Sequence, residues 1–371
     1  MTVTASTPGR ICLFGEHQDY LGLPVIAAAI SRRIQVSAQR RFTEKTSQPG
    51  FFLDLPDINS RIDIPFAGQE LPYLSERDYF RSAINVLLRE GFTFSTGIAG
   101  DVRGTIPINS GTSSSSALIV TWLNVLTQLA DEPRTLPAEK LAELAEIAEV
   151  REFGEPGGMM DHYTTAVGGV IYLESQPKIY LETLTPPLGA FVLGDSQEPK
   201  DTIGILSRVK FGMLDILKRI RMANPTFSLH TAQPTEIPEP ERRSVKDLMT
   251  KDEYVLLKGT FANRDLLRQA HALMQASDFD HETFGKLLTT HHETLRDAQR
   301  ISTPKIDRML DAALKAGALG GKINGSGGGG CMFAYAPGVD SPDNAQVVAE
   351  AIERTGGRAY IVMVDEGTRC W

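Results

Sequence analysis

A chain of 371 residues with 42% hydrophobic and 23% charged side chains is long enough for two fused domains, and its ordinary globular usage excludes a disordered or fibrous protein. The formal net charge of −8 argues against a general nucleic-acid or anionic-membrane surface, and three scattered cysteines, Cys12, Cys331 and Cys370, provide neither a disulfide framework nor a zinc-ligand spacing. No stretch reaches the ~18 apolar residues of a membrane span and the first residues lack a signal-peptide pattern, so a cytoplasmic protein is expected.

In chain order, Pro24 to Ile30 is apolar, Ile34 to Ala38 alternates, and Phe51 to Leu55 continues the pattern, which predicts strands of one sheet. Asp78 to Arg89 has apolar residues at helical spacing and a Gly91 stop, and Ser116 to Leu129 is apolar on nearly every side, as a helix buried on several faces is. A further helix starts near Pro137 and carries Glu149 towards its end. Gly168 to Leu173 and Ala190 to Leu193 read as strands, and a domain boundary is placed near residue 190. The charges between Ile205 and Met222 read as a solvated helix face, and the proline-rich stretch Pro225 to Pro240 as a loop. Helices over about 252–275, 281–300 and 305–316 lead into a glycine run and a strand from Met332 to Tyr335, so the second domain is α+β.

Four segments carry chemistry. Ser110, Gly111, Thr112, Ser113, Ser114, Ser115 and Ser116 crowd the start of the apolar helix, where backbone N–H groups, the positive helix end and hydroxyls favour a phosphate or Mg²⁺; the spacing is not that of a Walker A loop. Gly325, Gly327, Gly328, Gly329 and Gly330 permit positive φ and close approach to a ligand or to a second loop. Glu16, His17 and Asp19 follow an apolar stretch within a few residues and offer the mixed donors and acceptors that a polyhydroxylated ligand needs. Asp161, in an otherwise apolar setting, is a candidate for catalysis or for a helix N-cap.

Together these segments resemble the GHMP kinases, from about Pro8 to Tyr335. Gly9, Arg10, Gly15, Glu16, His17, Asp19 and Tyr20 look like the galactokinase signature, with Cys12 in place of the usual Asn. Pro107 to Ala117 is similar to the family's serine-rich phosphate motif, departing from it at Asn109, Ser110 and Thr112. Ala148-Glu149 followed by Gly158-Met159-Met160-Asp161 resembles a second galactokinase segment, with His162 in place of Gln. Phe284 to Leu288, His292, Leu295 to Asp297 and Ser302 to Asp307 look like the galactokinase helices ahead of the glycine motif, whereas Gly194 to Thr202 departs from the loop that those enzymes carry after the mid-chain strand.

The resemblance implies an α+β, two-domain GHMP kinase fold: an N-terminal ribosomal-protein-S5-like α/β domain over residues 1–190 and a C-terminal ferredoxin-like α+β domain over 191–371. It implies a galactokinase-like phosphotransferase using ATP and Mg²⁺ to make a sugar 1-phosphate, with a sugar-acid or other sugar kinase and a catalytically silent sugar sensor as alternatives. Asp161 then accepts or orients the proton of the attacking hydroxyl, and Arg10 offsets phosphoryl charge and keeps Asp161 ionised. Glu16, His17, Asp19 and Gly158 are expected at the sugar, residues 111–116 at the nucleotide, and Ser115 with Glu149 at the metal. Neither nucleic acid nor membrane is an expected partner, and the chain is expected to be a monomer or weak homodimer.

Overall fold

The computed structural model describes residues 2–41, 49–107, 111–155, 157–199, 204–205, 207–237, 249–338 and 343–371. Ser110 of the serine loop, Lys200 to Thr202, and Pro238 and Pro240 of the proline-rich stretch lie outside the described residues.

The chain opens with two long antiparallel strands, β1 (Thr2–Phe14) and β2 (Val25–Arg41). The two apolar stretches read separately from the sequence are one strand, because Ser31 to Arg33 continue it rather than break it. Then come β3 (Gly50–Leu55), β4 (Ser60–Pro65), helix α1 (Tyr79–Arg89), β5 (Gly97–Gly104), α2 (Ser114–Leu129), α3 (Ala138–Glu146), α4 (Met160–Val167), β6 (Val170–Glu174) and β7 (Tyr180–Leu184). Among the described residues they form a sheet ordered β1-β2-β5-β3-β4, with β6 joined to the first half of β2 and β7 beyond it. Among the described strands only β3 and β5 pair in parallel.

A second, fully antiparallel sheet has the order β11-β8-β10-β9, built from β8 (Phe191–Asp195), β9 (Gly320–Ile323), β10 (Cys331–Tyr335) and β11 (Arg358–Val362). Its helices are α5 (Gly212–Ala223), α6 (Lys251–Gln275), α7 (His281–Asp297), α8 (Pro304–Lys315) and α9 (Asn344–Glu353). The span 191–371 does not stay together: β12 (Arg369–Cys370) returns to pair with β1 at the edge of the first sheet. Arg33 holds that return, donating to the Asp365 carboxylate and to the Glu366 and Gly367 carbonyls.

Alternation along β1 explains why both faces of the first sheet are covered. Cys12 points into a core shared with Trp122, Leu126 and Ala145, while Ile11 and Leu13 point into another shared with Phe191, Leu267, Phe284 and Phe333. Burying one such large apolar side chain contributes roughly 1.5–3 kcal/mol. This double covering fixes the end of β1, and with it the turn at residues 15–22. Among the described residues no helix is long and apolar enough to cross a membrane.

Candidate active site

Arg10 projects from β1 towards the first turn of α4, where its Nε and Nη2 each donate to one oxygen of Asp161 at 2.8 Å. The guanidinium is 5% exposed and the carboxylate 32% exposed, so the pair is open on the carboxylate side only. Burial disfavours the Asp161 charge, but the Arg10 charge and its hydrogen bonds outweigh it, and the carboxyl lies below its ordinary value. Arg10 also reaches the serine loop: its N–H donates to Thr112 O at 3.1 Å and Nη1 donates to Gly111 O.

That loop turns on Gly111 at φ +85° and Ser113 at φ +58°, the second unusual for a residue with a side chain. Helix α2 starts at Ser114 with no side-chain cap, so its first amides lack intrahelical acceptors. Ser113 Oγ is buried on the side of the Asp161 carboxylate, which its hydroxyl helps to keep ionised. The uncapped amides at this helix N-terminus, with hydroxyls beside them, fit a phosphate group.

The glycine run packs against this loop. A Cβ on Gly325, which has φ +75°, would lie 2.9 Å from Gly111 O, and Gly327 to Gly330 all have positive φ. Asn324, fully buried, binds the assembly together: Oδ1 accepts from Cys12 N and Nδ2 donates to Gly111 O, both at 2.9 Å. The run is thus an ordered part of the site.

Glu149 lies in a π-turn (Ile147–Arg151) that continues α3, a local widening of the helix with a Glu152 N to Ile147 O bond. Its Oε2 accepts from Ser116 Oγ at 2.7 Å and meets His162 Nε2 at 2.8 Å. Burial opposes the Glu149 charge, yet His162 and the serine hydroxyls, Ser115 among them, bring its carboxyl below the ordinary value. The hydroxyl of Ser115 and this carboxylate are hard oxygen donors from two elements, which fits Mg²⁺. Among the described residues no three His, Cys, Asp or Glu side chains come together to hold a metal, so phosphate oxygens would have to complete such a site. The Ser116 hydroxyl is taken up by Glu149.

The turn after β1 divides the residues expected at a sugar. Asp19 Oδ1 accepts from Tyr20 N at 2.9 Å, and its Oδ2 lies so close to Gly158 that a Cβ there would sit 1.6 Å away. Asp19 and Gly158 therefore meet, on the side of the α4 N-terminus that carries Asp161. Burial first, and the neighbouring Asp161 charge second, raise the Asp19 carboxyl above its ordinary value.

Glu16 and His17 instead make bonds within the protein. Glu16 is 2% exposed and bonds Lys322 Nζ through Oε1, leaving only Oε2 without a partner. His17, held at φ +59°, has Nδ1 3.1 Å from Tyr20 Oη and Nε2 3.1 Å from Ser326 O. Both ring nitrogens are thus occupied, contrary to the expectation of an open sugar contact, because the glycine run closes over the turn. Sequence reasoning missed Lys322 and Asn324 as site residues. Their signal is a Lys and an Asn, two apart, immediately before the glycine run, where a polar residue in a buried strand needs a partner.

Residues 78–169 match the GHMP kinases N terminal domain, residues 268–358 the GHMP kinases C terminal domain, and residues 2–40 the galactokinase galactose-binding signature. The mevalonate kinase of Thermococcus gammatolerans is 30% identical, with 100% of this chain and 98% of that protein covered. The galactokinase of Pyrococcus furiosus is 27% identical over 95% of this chain and 93% of its own length. In structure, Lactococcus lactis galactokinase complexed with galactose superposes with a TM-score of 0.82 at 22% identity, covering 99% of this chain and 95% of that one. The paired terminal-domain matches and the full-length similarity agree with the two-sheet architecture and its packed serine and glycine loops, and the chain belongs to the GHMP kinase family.

Proposed function

We propose that this kinase transfers the γ-phosphoryl group of ATP to the anomeric hydroxyl of a monosaccharide, as galactokinases do, with Mg²⁺ held by Ser115 and Glu149. The observation that carries the reading is the convergence of Asp161, Arg10 and Asp19 beside the open end of α2. Phosphoryl transfer depends on positioning and charge stabilisation more than on covalent chemistry. Arg10 keeps Asp161 ionised, so Asp161 is a weak base that orients the acceptor hydroxyl and takes its proton late, as the bond to phosphorus forms. Arg10, anchored on Gly111 O, also sets the spacing between that carboxylate and the phosphate loop. Mg²⁺ supplies neutralisation of phosphate charge when bound. Asp19 accepts a sugar hydroxyl and selects which one faces Asp161.

A second reading, phosphorylation of mevalonate, is favoured by the 30% identical relative. Asp19 weighs against it: mevalonate would bring its own carboxylate to a pocket already holding Asp19 and Asp161. Retention of Arg10, Ser115, Glu149 and Asp161 supports an active enzyme over a silent sensor. The test is ADP release with galactose first, then arabinose, glucose, mannose, uronic acids, a heptose phosphate and mevalonate. Turnover of mevalonate with no sugar accepted would overturn the proposal.

A further inference from the structure

The charged side chains of the site fall into closed pairs, with one exception. Arg10 is bonded bidentately to Asp161, Lys322 to Glu16, and His162 to Glu149. Asp19 and Lys210 are left over. Lys210 comes from the π-turn Ser207–Phe211 that leads into α5, nearly two hundred residues from Asp19 in sequence. Its Nζ stands 4.9 Å from the centroid of the Tyr20 ring and reaches Gly157 O at a long 3.5 Å. Among the described residues it makes no ion pair.

Asp19 approaches the same Gly157–Gly158 segment from the signature turn, with Oδ2 against Gly158. The two charges lie near enough to influence one another, yet they do not touch. Burial lowers the Lys210 ammonium below its ordinary value despite the attraction of Asp19, and burial raises Asp19 despite Lys210. Each charged form is thus only partly compensated within the protein. An ammonium has three donors, and among the described residues Lys210 meets one acceptor, at long range.

We propose that Lys210 is a specificity-determining donor of the acceptor site, and that the acceptor is a neutral polyhydroxylated molecule whose hydroxyls bridge Lys210 and Asp19. This rests on the reading of the acceptor as a sugar and narrows it. A hydroxyl accepts from an ammonium and donates to a carboxylate, so neighbouring hydroxyls complete both groups without adding charge. An acid in the same place would satisfy Lys210 but set its carboxylate against Asp19, close to Asp161 and the incoming triphosphate. Uronic acids and mevalonate are therefore rejected, while a neutral hexose or pentose is accepted. Lys210 escapes notice in the sequence because it sits among the charges of an apparently solvated helix face.

The experiment is steady-state kinetics of the full chain and of its Lys210→Met and Lys210→Arg variants, with ATP and matched neutral and 6-carboxylate sugars. With the best neutral sugar, Lys210→Met should raise KM about 10- to 100-fold, the loss expected for one hydrogen bond to a charged group, while kcat, the KM for ATP and Tm stay near wild type. Lys210→Arg should recover part of the loss. Wild-type kcat/KM should favour the neutral sugar over its uronic acid. An unchanged sugar KM in Lys210→Met, or a wild-type preference for the uronic acid, overturns this inference while leaving the sugar-kinase reading intact. Turnover of mevalonate and no sugar overturns both.

Discussion

Lys322, with no solvent exposure, bonds the Glu16 carboxylate and donates to Cys12 O at 3.0 Å and Ile323 O at 2.8 Å, so one ammonium ties the turn after β1 to the strand before the glycine run. Removing it leaves the Glu16 carboxylate buried and unpaired. Lys322→Met should lower the unfolding free energy by about 3–5 kcal/mol, measured by denaturant titration. A loss below about 1 kcal/mol would mean that Glu16 finds another partner or a proton at little cost.

Asp161→Asn keeps size but removes the anion that faces the acceptor. Turnover should fall roughly 10²- to 10⁴-fold with the sugar KM little changed. Undiminished turnover in single-turnover experiments would remove Asp161 from the mechanism.

Acid dependence should separate the two aspartates. Asp161 lies below its ordinary value, so its ion pair stabilises the fold above the unfolded carboxylate value of about 3.9 and is lost only as pH falls through the lower folded value. Asp19 lies above its ordinary value and must be ionised to accept a hydroxyl. The acid limb of kcat/KM for the sugar should therefore belong to Asp19, with a midpoint above about 3.9, and Asp19→Asn should erase it from the pH profile while lowering kcat/KM throughout. Persistence of the same limb in Asp19→Asn assigns it elsewhere.

At Gly325, positive φ and the 2.9 Å approach to Gly111 O act together against any side chain. Gly325→Val should lower both Tm and activity. Gly68→Ala is the control: Gly68 also has positive φ, but nothing lies within 4 Å of an added Cβ, so only the backbone penalty of about 1–2 kcal/mol is expected and activity should survive. Equal behaviour of the two variants would show that the packing of the two loops contributes nothing.

Ser115→Ala and Glu149→Ala should each raise the Mg²⁺ concentration needed for half-maximal activity, read from a metal titration at saturating ATP and sugar. An unchanged metal requirement in both variants assigns the ion to other groups.

The residue types at the centre of the site were legible because each motif is local: Arg10 follows a proline and a glycine, Asp161 two methionines, and the serines precede an apolar helix. Partner choice was not. Glu16 meets Lys322 across 306 positions, and no periodicity in either segment reports that. Nor does the sequence announce the left-handed backbone at His17 and Ser113, which is held by bonds to distant chain and by loop packing rather than by glycine. Helix α2 begins at Ser114 rather than Ser116 because the apolar pattern starts only after the first turn, whose serines are kept polar by the site they face.

The return of β12 to β1 makes the second sheet a loop inserted between two strands of the first rather than a pendant at the end of the chain. The backbone crosses between the sheets once before β8 and once after β11, and Arg33 rivets the second crossing. Between those crossings the sheets are joined side by side as well, by the core that Ile11 and Leu13 share with Phe191 and Phe333. The turn that carries Asp19 and the segment that carries Lys210 share one core, with Leu21 and Leu23 packed among Val209 and Met213, so the gap between the two charges is set by that packing and an acceptor must match it in length.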